Sequence, residues 1–172
     1  MSLKGKRIAI LAEDMYDELE LWYPYYRLVE EGAEVKIIGP EVKEYQSKRG
    51  YPVQAEFAAD KVKADDFDGV VVPGGFAPDR LRRYFAVLNL VRGVFEKGGV
   101  VASICHGAWV LISAGIMKGK RATCVSAIKD DLINADATYL DQEVIVDGSL
   151  VTSRTPQDLS AYLPAIITAL KK

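Results

Sequence analysis

Two adjacent residues carry most of the chemistry that this sequence can perform. Cys105 and His106 stand side by side in the segment 103–107, in which small residues lie two positions before and two positions after the cysteine. This spacing is typical of a nucleophile elbow, a sharp strand-to-helix turn that needs small neighbours because its backbone is strained and crowded. A cysteine thiolate is a strong nucleophile, and a nearby histidine commonly serves as its base. We therefore predict that Cys105 attacks the substrate and that His106 moves the proton.

His106 is the only histidine of the chain, so any catalytic scheme that needs a histidine must use this one. A zinc site built from several histidines is excluded for the same reason, and we expect neither a metal ion nor a cofactor. The predicted helix after the cysteine offers N–H groups and the positive end of its dipole, so we expect a lowered pKa for the Cys105 thiol. The alternative is an unreactive buried thiol, as most free cysteines are. The small neighbours and the adjacent histidine favour a functional cysteine.

A glycine pair and two acidic residues stand at other turns that can serve the cysteine. The pair ends at Gly75 and follows the apolar run 69–72; a backbone N–H in this loop can form an oxyanion hole together with the N–H of His106. Asp17 and Asp79 stand at predicted helix starts, where acids usually complement the helix dipole. Asp17, Glu18 and Glu20 open the first predicted helix, and one of these acids can alternatively form a hydrogen bond with the thiol.

Alternating strands and helices place these turns at one edge of a sheet. Short apolar runs predict buried strands at 7–12, 34–38, 69–72, 100–104, 122–125, 143–146 and 150–153. The segments between them predict helices at 17–31, 79–97, 108–114, 127–134 and 156–170, and an irregular hairpin within 42–57. Repeated strand–helix units indicate one α/β domain over 1–172, with a mostly parallel sheet and helices on both faces. Ligands bind such sheets at the carboxyl ends of the strands.

Composition narrows the class of protein further. The chain has 172 residues and a formal net charge of −2 from 22 basic and 24 acidic residues, so it has no basic excess to bind nucleic acid. No apolar stretch approaches the roughly 20 residues of a membrane span, and no secretory signal is recognised at the start. Two cysteines are too few for a disulfide scaffold. We therefore expect a cytoplasmic protein that binds neither nucleic acid nor membranes.

Several segments of the sequence resemble the DJ-one/PfpI superfamily, and most closely its PfpI-type intracellular cysteine peptidases. These segments are Ala-Ser-Ile-Cys-His-Gly at 102–107, Val-Val-Pro-Gly-Gly at 71–75, Leu-Ile-Ser-Ala-Gly at 111–115, Ile-Lys-Asp-Asp at 128–131, Val-Asp-Gly at 146–148 and Ser-Arg at 153–154. The resemblance covers nearly the whole chain. It implies a flavodoxin-like three-layer sandwich that assembles into homodimers or hexamers.

The resemblance also implies roles for individual residues. Cys105 is the nucleophile, Asp17 contacts its thiol, and Gly75 and His106 supply the N–H groups of the oxyanion hole. Asp79 orients the histidine of an adjacent subunit. These assignments place the active site at a subunit boundary.

Three positions depart from the pattern of the PfpI branch. Asp17 and Asp79 stand where the branch usually has glutamate, so each side chain is one methylene shorter. Val125 stands where the branch often has tyrosine, so a possible proton donor is lost. These departures make it less safe to transfer a specific activity from the family.

Three functions remain open on this basis. We predict a cysteine-dependent hydrolase of the PfpI peptidase type, acting on a peptide or a small carbonyl compound. The first alternative is a cofactor-independent glyoxalase or protein deglycase acting on α-oxoaldehydes, and the second is a non-enzymatic, redox-responsive stress chaperone. A glutamine amidotransferase is disfavoured, because that family takes its histidine from a distant segment and this chain has no second histidine.

Overall fold

A seven-stranded sheet forms the centre of the protein in a computed structural model, which describes residues 2–172. The strands are β1 (Arg7–Leu11), β2 (Glu34–Gly39), β3 (Glu44–Gln46), β4 (Pro52–Gln54), β5 (Phe57–Ala58), β6 (Gly69–Val72), β7 (Val100–Ile104), β8 (Arg121–Ala122), β9 (Thr138–Tyr139), β10 (Val144–Asp147) and β11 (Leu150–Ser153). The order in the main sheet is β10-β11-β7-β6-β1-β2-β5, and only β10 is antiparallel to its neighbour. The strand pairs β3–β4 and β8–β9 lie outside it.

Six helices surround the sheet. They are α1 (Glu18–Glu30), α2 (Ala77–Leu81), α3 (Phe85–Glu96), α4 (Ala108–Ser113), α5 (Lys129–Asn134) and α6 (Leu159–Leu170). Helix α1 packs beside α6, and α3 packs beside α4, so every residue of the central strands β6 and β7 is buried. Within residues 2–172, no helix combines the length and the apolar character needed to cross a bilayer. The α/β architecture predicted from the sequence is confirmed.

Several predicted elements differ from the structure, among them the strand expected at 122–125, which is the two-residue β8 outside the main sheet. The single helix expected over 79–97 is two helices, because Tyr84 adopts an extended backbone that separates α2 from α3. The segment 42–57 holds the β3–β4 hairpin and also reaches the sheet, where Phe57 begins the edge strand β5. Strand β9 was not predicted, because two residues are too few to show a periodic pattern.

The turn between β7 and α4 is as crowded as the sequence pattern predicts. A Cβ atom at Gly107 would lie 2.5 Å from the carbonyl oxygen of Val72 and 3.2 Å from the Cβ of Ser103. The residue at the top of the turn, Cys105, has φ +59, in the left-handed region that non-glycine residues seldom occupy. The close approach of β6 and β7 to this turn therefore holds the cysteine in a strained position.

Gly107→Ala is expected to lower the free energy of unfolding by about 1–3 kcal/mol, because the added methyl group overlaps a carbonyl fixed within the sheet. Urea denaturation followed by tryptophan fluorescence measures this change. Gly119→Ala is a suitable control, since position 119 has φ +71 but no atom within 4 Å of the new methyl group. Its cost comes from backbone conformation alone, about 1–2 kcal/mol. A Gly107→Ala variant as stable as the parent would contradict tight packing at the turn.

Candidate active site

Three loops meet at the carboxyl ends of β1, β6 and β7, which are neighbours in the sheet. Tyr16, in the loop after β1, forms isolated bridges with Ser47 of the hairpin and with Gly75 of the loop after β6. The backbone N–H of Asp17 donates a hydrogen bond of 3.3 Å to the carbonyl of Gly74. A Cβ atom at Gly74 would lie 2.7 Å from the Cβ of Cys105, the residue that follows β7. The structure thus brings the three predicted strand ends into one site.

Cys105 is partly buried and is surrounded by hydrogen-bonding groups. Its sulfur lies 3.3 Å from Nδ1 of His106, although adjacent side chains often point apart. The backbone N–H groups of His106 and Gly75 both face the sulfur and act to lower the pKa of the thiol. Gly75 has φ +74, and a side chain there would overlap the carbonyl of Met15. Glycine at this position therefore lets the loop after β6 present its N–H to the cysteine.

The carboxyl group beside the thiol belongs to Glu20 of α1. This side chain is buried, with 1% of the residue exposed, and its Oε2 accepts a hydrogen bond of 2.7 Å from the N–H of Gly74. Its Oε1 has no nitrogen or oxygen partner in residues 2–172, which leaves the thiol of Cys105 as a hydrogen-bonding neighbour of the carboxyl group. Glu20 is therefore the acid best placed to exchange a proton with the sulfur.

Burial controls the protonation of this pair. It raises the pKa of Glu20 to about 8, with the charge of Asp17 as the second cause. Burial also raises the pKa of Cys105 to about 12, with the charge of Glu20 as the second cause. The expectation of a lowered thiol pKa is wrong, because desolvation outweighs the two N–H groups. At neutral pH, Glu20 keeps its proton, so its charge does not oppose formation of a thiolate.

Asp17 does not make the thiol contact that the family pattern implied. Its Oδ1 accepts hydrogen bonds from the N–H groups of Leu19 and Glu20 and so caps the start of α1. Its Oδ2 lies 2.6 Å from Nζ of Lys48, which the hairpin between β3 and β4 supplies. Both oxygens are therefore engaged elsewhere, and the acid one helical turn further along reaches Cys105.

A sequence signal for Glu20 was present in the apolar stripe of α1. Glu20, Pro24 and Leu28 are buried at a spacing of four residues, so Glu20 occupies a position on the face that packs into the core. An acid at such a position is seldom fully buried unless it has partners there. Lys48 gave no comparable signal, because it lies in an irregular segment with other basic residues.

His106 is oriented without a carboxylate from its own chain. The hydrogen-bonding contact of its ring within residues 2–172 is the sulfur of Cys105. Its pKa is lowered, first by burial and second by the positive charge of Lys48, so the imidazole is neutral at pH 7 and can accept a proton. The rings of Phe76 and Trp109 flank it, with centroids 6.3 and 5.1 Å from that of the imidazole.

Asp79 and Val125 take no part in these contacts. Asp79 lies in the first turn of α2, and its carboxylate forms an ion pair with Arg83, which follows that helix. It lines a surface cavity of about 620 Å³ with Lys43 and Arg80. Val125 is partly buried just before a short turn that leads to α5. Residues 2–172 bring no three histidine, cysteine, aspartate or glutamate side chains together as metal ligands. The role of Asp79 across a subunit boundary stays a prediction.

The sequence matches the model of the DJ-1/PfpI family over residues 6–169. The chain belongs to the DJ-1/PfpI family. A deglycase of Pyrococcus abyssi is 44% identical over 165 residues, which cover 96% of this chain and 99% of the relative. A Bacillus subtilis protein provisionally named a cysteine protease is 40% identical over 168 residues, which cover 97% of this chain and 99% of the relative.

A solved structure supports the same assignment. A two-domain protein of Anabaena variabilis, with a DJ-1/PfpI-like and a ferritin-like domain, aligns with a TM-score of 0.95 at 40% identity. The alignment covers 96% of this chain and 48% of that chain. The two sequence relatives described above are named as enzymes, which agrees with an enzymatic role for this family member.

Glu20→Gln is expected to lower the pH at which Cys105 becomes reactive, because it removes the nearest negative charge from the sulfur. Above about pH 8, where Glu20 is ionised, each unit of downward shift raises the thiolate fraction about tenfold on the acidic side of the transition. Below that pH, where Glu20 and its glutamine replacement are both neutral, the two proteins are expected to react alike. Iodoacetamide labelling between pH 6 and 11, read at Cys105 by mass spectrometry, measures the shift. Buried Cys124 provides an internal reference in the same sample.

Asp17→Asn provides the matched charge removal one turn away. Its effect is expected to be smaller and in the same direction, because the charge of Asp17 is the weakest of the causes that raise the pKa of Cys105. An equal or larger shift in Asp17→Asn would show that Glu20 is not the acid that controls the thiol.

Proposed function

We propose that the chain is a cysteine-dependent hydrolase that acts on α-oxoaldehydes and on their adducts with amines, which is deglycase chemistry. The observation that carries this proposal is the position of the buried Glu20 carboxyl group beside Cys105, whose sulfur lies 3.3 Å from Nδ1 of His106. Such a pair can donate and accept protons on neighbouring atoms of one small substrate. The name of the Pyrococcus abyssi relative supports the same chemistry.

The reaction needs no group outside the chain except water. The Cys105 sulfur adds to the aldehyde carbon, forming a C–S bond, while the N–H groups of Gly75 and His106 stabilise the oxyanion. From an amine adduct, the sulfur instead displaces the amine, which leaves with a proton. Both routes give a hemithioacetal on Cys105.

The remaining steps isomerise the hemithioacetal and add one water molecule. The imidazole of His106 removes the C–H proton, the neighbouring oxo carbon receives a proton, and the hydroxyl proton passes to the oxo oxygen, which gives a thioester of a 2-hydroxy acid. Water attacks this thioester, the C–S bond breaks, and the hydroxy acid leaves with the thiol of Cys105 restored. No net oxidation or reduction of the protein occurs.

Peptide hydrolysis is the second candidate, and the name of the Bacillus subtilis relative favours it. A peptidase must protonate a poor amine leaving group, so its histidine needs a carboxylate that fixes the tautomer and raises its basicity. No carboxylate of residues 2–172 bonds the ring of His106 within one chain. Peptidase activity therefore depends on Asp79 of another subunit, whereas the oxoaldehyde reaction can use Glu20.

Cys105→Ser is expected to reduce methylglyoxal conversion to lactate by about 10³-fold or more, because the nucleophile is lost. Chromatographic lactate measurement and hydrolysis of a fluorogenic peptide are assayed on one preparation. Cys124→Ser is the control, since Cys124 is buried outside the Cys105 site and keeps turnover at the parental level. Peptide hydrolysis without lactate would replace the deglycase proposal by the peptidase candidate. If neither reaction occurs and Cys105→Ser still prevents aggregation of a client protein, the chain is a chaperone.

A mixture of Cys105→Ala and Asp79→Ala chains tests the proposed role of Asp79 in peptide hydrolysis. Each variant alone is expected to lose peptidase activity, and the mixture is expected to recover part of it, because some interfaces pair an intact Cys105 with an intact Asp79. Native mass spectrometry first establishes that subunits exchange. Full peptidase activity in Asp79→Ala alone, or no recovery after exchange, would exclude the acid acting across subunits.

A further inference from the structure

A large aromatic side chain lies open to solvent beside the nucleophile. Phe76 follows Gly75 directly, and 58% of the residue is exposed. Its backbone N–H donates a hydrogen bond of 2.9 Å to the carbonyl of Met15, so its position next to the oxyanion loop is held by the main chain. Neither the protonation of Cys105 nor the proton transfers of the proposed reaction use this ring. An exposed phenylalanine at such a place has room to contact a ligand.

Trp109 is the second aromatic side chain that contacts His106. Its Nε1 donates a hydrogen bond of 2.8 Å to Asp131, and the guanidinium of Arg82 lies over its ring at 5.4 Å. Arg82 is in turn held by a hydrogen bond of 2.9 Å from its Nε to Ser113. These contacts hold the indole in place, so the ring presents a fixed aromatic surface.

The imidazole of His106 pairs with both rings. It is tilted by 37° relative to Phe76 and by 63° relative to Trp109, and its Nδ1 is 3.3 Å from the nucleophilic sulfur. A substrate whose carbonyl carbon is attached to Cys105 cannot extend its other substituent into the side of the sulfur that the buried Glu20 fills, whereas the exposed ring of Phe76 lies beside the His106 that contacts the same sulfur. The substituent then meets aromatic surface, with which planar rings pair favourably.

We propose that Phe76 and Trp109 are specificity-determining residues, which favour substrates with an aromatic group attached to the reacting carbonyl. The inference rests on the proposed role of Cys105 as the nucleophile. It adds a substrate preference that neither the oxyanion hole nor Glu20 provides, because those groups contact only the reacting atoms.

A subunit interface is the competing explanation for the exposure of Phe76. Tyr84 and Phe85 are also exposed, by 44% and 81%; Tyr84 directly precedes α3 and Phe85 is its first residue. Of these three exposed rings, only Phe76 forms an aromatic pair with His106. Phe85→Ser is therefore the matched control for Phe76→Ser, since it removes an equally large exposed ring outside the site.

The decisive measurement uses two neutral thiol reagents that differ only in a ring. Labelling of Cys105 by N-phenylmaleimide and N-methylmaleimide is read by mass spectrometry, and the ratio of the two rates is divided by the ratio for glutathione. In Phe76→Ser this normalised ratio is expected to fall about 2- to 10-fold, with recovery in Phe76→Tyr and no change in Phe85→Ser. The ratio of phenylglyoxal to methylglyoxal turnover is expected to fall by the same factor.

The outcomes separate this inference from the proposed function. Selective labelling of Cys105 with an unchanged ratio in Phe76→Ser would overturn the inference and leave the nucleophile intact. The same result together with a smaller assembly by native mass spectrometry would identify Phe76 as an interface residue. Failure of both reagents to label Cys105 in preference to Cys124 would overturn the proposed function and this inference together.

Discussion

The burial of one carboxyl group against one sulfur governs the architecture of the site. Glu20 can approach Cys105 only because position 74 has no side chain: a Cβ there would overlap the carboxylate and lie 2.7 Å from the Cβ of the cysteine. The strained backbone of Cys105 brings the sulfur to the other side of the same gap. One steric requirement therefore shapes three segments: the loop after β6, the turn after β7 and the first turn of α1.

The need to compensate the charge of Asp17 explains which elements surround the contact between Glu20 and Cys105. Asp17 is buried and negative next to Glu20, and it is tolerated because two helix N–H groups and Lys48 satisfy its oxygens. The hairpin that carries Lys48 is in turn held to the start of α1, where the hydroxyl of Ser47 donates a hydrogen bond of 2.6 Å to Glu18. The β3–β4 hairpin therefore supplies a cation to the site, although it lies outside the main sheet.

The sequence predicted the sheet and the sharp turn at Cys105 well, since both depend on local patterns. Buried parallel strands appear as continuous apolar runs, and the small residues at 103 and 107 mark the turn independently of the rest of the fold. The pattern left open which acid meets the thiol, and the family resemblance indicated Asp17 where the structure places Glu20, because two acids one turn apart differ mainly in the face of α1 that they occupy. The break at Tyr84 was missed, since no proline or glycine marks it. The partner of Asp79 depends on assembly, which the pattern of one chain does not contain.

The buried carboxyl group of Glu20 also links the stability of the fold to the pH at which the thiol of Cys105 reacts. A carboxyl group whose pKa rises from 4.5 to about 8 on folding makes its full contribution to stability below pH 4.5. That contribution is lost progressively as the pH rises from 4.5 to about 8, because the unfolded chain releases a proton that the folded protein keeps. The thiolate, in contrast, becomes more abundant as the pH rises. A rise in pH therefore increases the fraction of reactive thiolate and at the same time lowers the stability of the fold around it. The pH range in which this family member can react is limited on one side by the thiol and on the other by the buried acid.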